Sequence, residues 1–202
     1  MRKVELIFEM KLIIASNNKH KIYEIKHILS GKFDEIVSLA EAGVDHETVE
    51  DGKTFLKNAL KKAREIAEIT GCAALADDSG ICVNALGGEP GIYSARYAGG
   101  NERHSTDEEN NAFLLKNLEG VEDTSAYYAC LIALVYPDGR EVVAEGYMHG
   151  RIIDTPRGEK GFGYDPLFIP TGEKRTVAEM SDDEKNAISH RGNALRNLLT
   201  KI

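Results

Sequence analysis

Cysteine is scarce in this chain of 202 residues, and the few present cannot pair off. Cys72, Cys82 and Cys130 are odd in number and form no Cys-x-x-Cys spacing, which argues against a disulfide framework or a zinc site. They fit reduced thiols in a cytoplasmic protein, two of them inside apolar strand-like runs where a cysteine acts as a small hydrophobe. Long apolar runs are also missing. Nothing approaches the roughly 20 residues that span a bilayer, and Glu5 and Glu9 interrupt any signal-peptide core near the start. Basic charge is in deficit: 25 Lys and Arg against 33 Asp and Glu leave a net charge of −8, which argues against a general nucleic-acid or anionic-membrane surface. A phosphate ligand remains compatible, because a few converging cations and a divalent ion reverse the field locally. What is present is ordinary for a soluble domain, 42% hydrophobic and 29% charged residues. The length suits one domain burying about 70% of its unfolded surface.

The apolar run Leu12–Ala15 reads as a buried strand that starts the fold, so residues 1–9 are expected to be a dispensable extension and 10–202 the domain. Strand 11–15 leads into a helix to about Leu29, stopped by Gly31, and then a strand near 35–39. An acidic loop, 45–52, precedes a helix from Thr54 to about Ile69 that ends at Gly71. Cys72–Ala76 reads as a short buried strand, with Ile81–Val83 continuing extended. The glycine-rich segments 86–101 and 157–166 read as structured loops. Thr106 with Glu109, and Ser181 with Glu184, have the capping-box spacing that opens a helix. Segments 126–136 and 141–149 form a hairpin across Pro137-Asp138-Gly139, and a C-terminal helix broken near His190 closes the chain. The order implies an α/β fold with a mixed sheet flanked by helices.

The most telling local feature is Ala76-Asp77-Asp78-Ser79-Gly80, two adjacent carboxylates placed at a strand end. Like charges so close raise each other's pKa unless a metal or base neutralises them. A polar turn with a capping serine explains the same residues. Ser16-Asn17-Asn18-Lys19-His20-Lys21 lies at a strand-to-helix junction whose free N–H groups and dipole suit a phosphate, or simply a capped helix with solvated lysines. Gly52-Lys53-Thr54 is no P-loop, because Glu47 stands where the first glycine belongs. The acidic loop is either a solvated turn or the donor of a carboxylate to a metal shared with Asp78, Glu50 before Glu47. Phe162, Gly163, Tyr164 and Asp165 combine aromatic faces with permissive backbone, while Lys185, His190 and Arg191 add cations near a helix junction.

Six segments in order resemble the inosine triphosphate pyrophosphatase family, from Met10 to the C-terminus. They are Ser16-x-Asn18-x-x-Lys21-x-x-Glu24, Asp51-Gly52-x-Thr54-Phe55-x-x-Asn58-Ala59, the double-aspartate run, Pro90–Gly99, Gly161–Pro166 and Ser189-His190-Arg191. The chain departs from that pattern before Met10 and at Val49, where relatives often carry a second glutamate. The resemblance implies an elongated, two-lobed α/β domain with a long twisted mixed sheet, a central nucleotide cleft, and a homodimer. It implies hydrolysis of non-standard purine nucleoside triphosphates (ITP, dITP, XTP) to monophosphate and pyrophosphate with Mg²⁺. Carried over by position, Asp78 serves the metal and acts as the base, and the departure at Val49 leaves open which of Glu47, Glu50 or Asp51 joins it, Glu50 being the first choice. Ser16 to Lys21 hold phosphates, and Ser79, Phe162, Gly163, Tyr164, Asp165, Lys185, His190 and Arg191 line the nucleotide site. A donor such as His190 or Arg191 at the purine 6-position would mismatch adenine. A nucleotide sensor without turnover, and a pyrophosphatase of other base selectivity, are the competing readings.

Overall fold

The computed structural model describes residues 11–100 and 104–202; the expectation about residues 1–9 lies outside them. A six-stranded mixed sheet has the order β2-β1-β3-β4-β5-β6. Its strands are β1 (Lys11–Ile14), β2 (Glu35–Ser38), β3 (Ala73–Val83), β4 (Ser125–Val135), β5 (Glu141–Ile152) and β6 (Phe168–Pro170). β2, β1 and β3 run parallel through two helical crossovers, and β3 to β6 pair antiparallel.

Helices α1 (Lys19–Ile28) and α5 (His190–Leu199) cover one face. Their Ile25, Leu29, Ala194, Leu195 and Leu198 pack on Leu12, Ile14, Leu75 and Ile132. Helix α2 (Phe55–Thr70) covers the other face, and the alanines at 59, 63 and 67 meet Ala74, Ala76 and Ala133 so that its backbone comes close to the sheet. Helix α3 (Asp107–Asn117) caps a third cluster around Ile81, Tyr128, Met148 and Phe168. β3 and β4 therefore contribute to all three clusters.

Local chemistry sets the element ends. Thr54 caps α2 by accepting from Lys57 N at 3.2 Å, which is the role of the Gly52-Lys53-Thr54 triplet. Gly71 ends α2 at φ 63°, a left-handed conformation open to glycine. Both expected capping boxes form, at Thr106 and Ser181, and a third at Thr176 with Glu179. Ser189 separates α4 (Asp182–Ile188) from α5 and caps the latter.

One expectation is corrected. The aspartates do not sit at a strand end but in the middle of an 11-residue strand, because β4 pairs with it continuously from Ala74 to Val83. Backbone pairing overrides the low strand propensity of Asp-Asp-Ser-Gly.

Candidate active site

β1 is four residues long and β3 is eleven, so the two strands part company early. Their register runs from Leu12 opposite Ala73 to Ile14 opposite Leu75, and Ala15 N donates the last rung to Leu75 O at 2.8 Å. Beyond it, no strand among the described residues pairs with that edge of β3, which meets only an isolated bridge between Cys82 and Pro90. A cleft of about 610 Å³ opens there, lined by Asp78, Ser79 and Gly80 together with residues drawn from segments between Ala15 and Arg191. That volume lies within the roughly 300–1,000 Å³ of small-ligand sites.

Strand alternation sends the two aspartates to opposite faces. Asp77 turns toward α1 and α5, where Oδ2 accepts from Arg191 Nη2 at 2.9 Å and lies 3.2 Å from Lys21 Nζ. It does not line the cleft. Burial alone would raise its pKa, but Lys21, Arg191 and Lys62 outweigh burial and hold the carboxyl far below the usual range. Arg191 is itself 1% exposed, pairing also with Glu24 and donating to Ser79 Oγ at 2.9 Å.

Asp78 turns toward α2. Its Oδ2 accepts from Asn58 Nδ2 at 2.9 Å and its Oδ1 from Ser79 N at 3.0 Å. Burial raises its pKa, Lys62 and Lys21 oppose, and nearby Glu50 adds to the rise, so the net direction is up. Among the described residues it is the buried cleft carboxylate without an ion pair. Lys62 Nζ spans Glu50 Oε1 at 2.6 Å and Asp77 O at 2.8 Å. The loop carrying Glu50 is tied to α2 through His46 and Thr48 on Glu65, and through Gly52 N on Asn58 Oδ1.

The sequence profile of the Ham1 family matches residues 12–201. The chain belongs to the Ham1 family. Among curated members, the dITP/XTP pyrophosphatase of Geobacter sulfurreducens is 51% identical over 187 residues, 92% of each chain. That of Clostridium perfringens is 50% identical, covering 93% of this chain and 95% of its own. Two solved structures are similar: the Staphylococcus aureus Ham1 protein (TM-score 0.83, 40% identity, 95% and 97% covered) and a HAM1 protein from Coxiella burnetii (TM-score 0.85, 40% identity, 96% and 100% covered).

In this Ham1-family cleft, Ser16, Asn17, Asn18 and Lys21 form one wall, while Lys19 and His20 do not line it. Asn18 caps α1, accepting from His20 N and Lys21 N at 3.0 and 3.1 Å, so capping claims two of the N–H groups expected to face a phosphate. His20 instead stacks on Phe162 at 5.1 Å, and Lys185 Nζ lies 4.5 Å from the same ring. Phe162 to Asp165, Lys185, His190 and Arg191 all line the cleft. Lys185 bridges Asp165 at 2.8 Å and Glu24 at 2.9 Å. His190 stacks on Tyr128 at 4.7 Å, and burial, aided by Arg191 and Lys185, drives its pKa well down, so the imidazole is neutral. Sequence reasoning assigned nothing to Asn58, Lys62, Tyr128 or Glu24. Asn58 and Glu24 stand inside the motif segments, and Lys62 lies one turn beyond Asn58 on the same helix face.

Proposed function

We propose that this chain hydrolyses non-standard purine nucleoside triphosphates (ITP, dITP and XTP) to the monophosphate and pyrophosphate. The observation that carries the reading is Asp78, a buried carboxylate with no ion pair among the described residues, in a cleft that Glu50 and five Lys and Arg side chains also line. The dITP/XTP pyrophosphatase activity named for close relatives supports it. Asp78 and Glu50 fit Mg²⁺: both offer hard oxygen, and no cluster of three or more ligand side chains stands among the described residues. Magnesium takes one or two carboxylates and completes its shell with water and phosphate oxygens. When bound, the ion would neutralise phosphate oxygens and acidify water.

The chain's own groups do the rest. Lys21 and the Ser16–Asn18 loop hold the phosphate chain, and Lys62 fixes Glu50 relative to β3. Asp78, its two oxygens positioned by Asn58 and Ser79, orients a water toward the α-phosphorus and takes its proton. The bond to the β-phosphate bridging oxygen breaks, and pyrophosphate leaves with that oxygen. A thiol nucleophile is disfavoured, since burial pushes both Cys82 and Cys130 up.

Base choice follows from hydrogen-bond polarity. Inosine and xanthosine present a 6-keto acceptor where adenosine presents an amino donor. All three Arg191 side-chain nitrogens are engaged by Asp77, Glu24 and Ser79. Neutral His190, with Nδ1 buried and without a partner, is then the better candidate to read the 6-position. Each unpaired buried group costs about 1–3 kcal/mol, enough to disfavour adenine by about 10-fold or more. A homodimer would cover the β5 face that bears half-exposed Val143 and Tyr147, and free cysteines accord with the cytoplasm.

The test is a substrate panel with Mg²⁺, separating pyrophosphate from orthophosphate. ITP, dITP and XTP should release pyrophosphate faster than ATP or GTP. Orthophosphate alone, or equal turnover of ATP, overturns the reading.

A further inference from the structure

Five Lys and Arg side chains among the described residues line the cleft, and four are neutralised within the protein. Lys21 lies 3.2 Å from Asp77, Lys62 2.6 Å from Glu50, Lys185 2.8 Å from Asp165, and Arg191 2.9 Å from Asp77. Arg96 is the exception. It is half-buried, makes no ion pair among the described residues, and its Nε is buried without a hydrogen-bond partner. An uncompensated guanidinium with a desolvated donor is costly, and an arriving anion removes that cost.

Arg96 is also held in place. Its guanidinium lies 5.5 Å from the centroid of the Tyr93 ring, which backs it. The 91–96 turn is fastened to β3: Ser94 Oγ accepts from Ile81 N at 3.0 Å and donates to Gly91 O at 2.6 Å, and Tyr164 Oη donates to Ser94 O at 2.9 Å. The closeness requires Gly80, where a Cβ would stand 2.3 Å from Gly91 O. Arg96 thus rides two residues from a point fixed to the strand that carries Asp78. Arg96 lines the same cleft as Glu50, Lys62 and Lys21, the groups that the functional reading sets around the phosphates.

We infer that Arg96 binds the β- and γ-phosphates of the substrate and the pyrophosphate they become. The inference rests on the pyrophosphatase reading for the identity of the anion. Arg presents a planar fork that matches two phosphate oxygens, and Lys does not.

The experiment is calorimetric titration of the wild type, Arg96→Gln and Arg96→Lys with pyrophosphate and, separately, with IMP, Mg²⁺ present in both. Arg96→Gln should weaken pyrophosphate by about tenfold or more and leave IMP within about twofold. Arg96→Lys should fall between, and it carries the test if thermal melting shows Arg96→Gln to be unfolded. KM for ITP and XTP should rise in the same proportion. Unchanged pyrophosphate affinity, equal weakening of pyrophosphate and IMP, or an altered ITP-to-XTP preference would each overturn the inference. Wild type that binds pyrophosphate through Arg96 yet releases none from ITP upholds this inference and sinks the functional reading instead.

Discussion

Asp77 and Asp78 are the same residue type, one position apart, and the fold treats them oppositely. Asp77 lies against two cations contributed by α1 and α5 and is held ionised. Asp78, on the other face of the strand, receives an amide and a backbone N–H but no ion pair among the described residues, and its charge is disfavoured. One strand thus carries a charge that ties helices together and, 180° around, a charge kept uncompensated. Adjacent carboxylates need not be a ligand pair. Pleating alone separates structure from chemistry.

Substitutions can break that contrast. The largest effect should come from Asp78→Asn, which keeps shape and removes the base: pyrophosphate release should fall by about 10²–10⁴-fold or more with the melting transition intact. Asp77→Ala should act on stability, by about 3–5 kcal/mol, because Lys21 and buried Arg191 lose the carboxylate they share and Glu24 alone remains to pair with Arg191; denaturant unfolding measures it. The pH dependence has a definite sign. A carboxyl with a lowered folded pKa stabilises above its unfolded value, near 3.8, and that stability drains away as pH falls toward the folded pKa. Acid titration of the fold should therefore flatten in Asp77→Asn. Asn58→Ala should cost about 10–100-fold in turnover, since Asn58 both orients Asp78 and holds Gly52 of the Glu50-bearing loop. The smallest effect sharpens the comparison. In metal-free buffer at neutral pH, Asp78→Asn should raise the melting temperature, by an amount corresponding to about 0.5–2 kcal/mol, because a raised folded pKa makes ionised Asp78 destabilising above that value.

Much of this architecture is readable in the chain. Asn18, Thr54, Thr106 and Ser181 announce helix starts, Gly71 a helix end, and the Leu12–Ile14 run a buried strand. What escapes local reading is whatever depends on distant partners. The length of β3 is set by β4, about fifty residues later. The burial of Arg191 is settled by Asp77, 114 residues away, and by Glu24, 167 away. An isolated histidine–arginine pair reads as surface, and only the sheet shows both under the cleft. The ties between α2 and the acidic loop were hidden for a different reason: Lys62 looks like any other lysine in a helix whose outer face is rich in them.

An unpaired strand edge is normally an invitation to aggregate. Here successive groups along the bare side of β3 are already occupied: the Asp77 carbonyl by Lys62, the Ser79 amide by the Asp78 side chain, Ile81 by the Ser94 hydroxyl, and Val83 by the Glu89 carbonyl. Short side chains and a returning loop blunt the edge against another polypeptide while leaving room for a small molecule. The same device closes the edge to a further strand and keeps the cleft open.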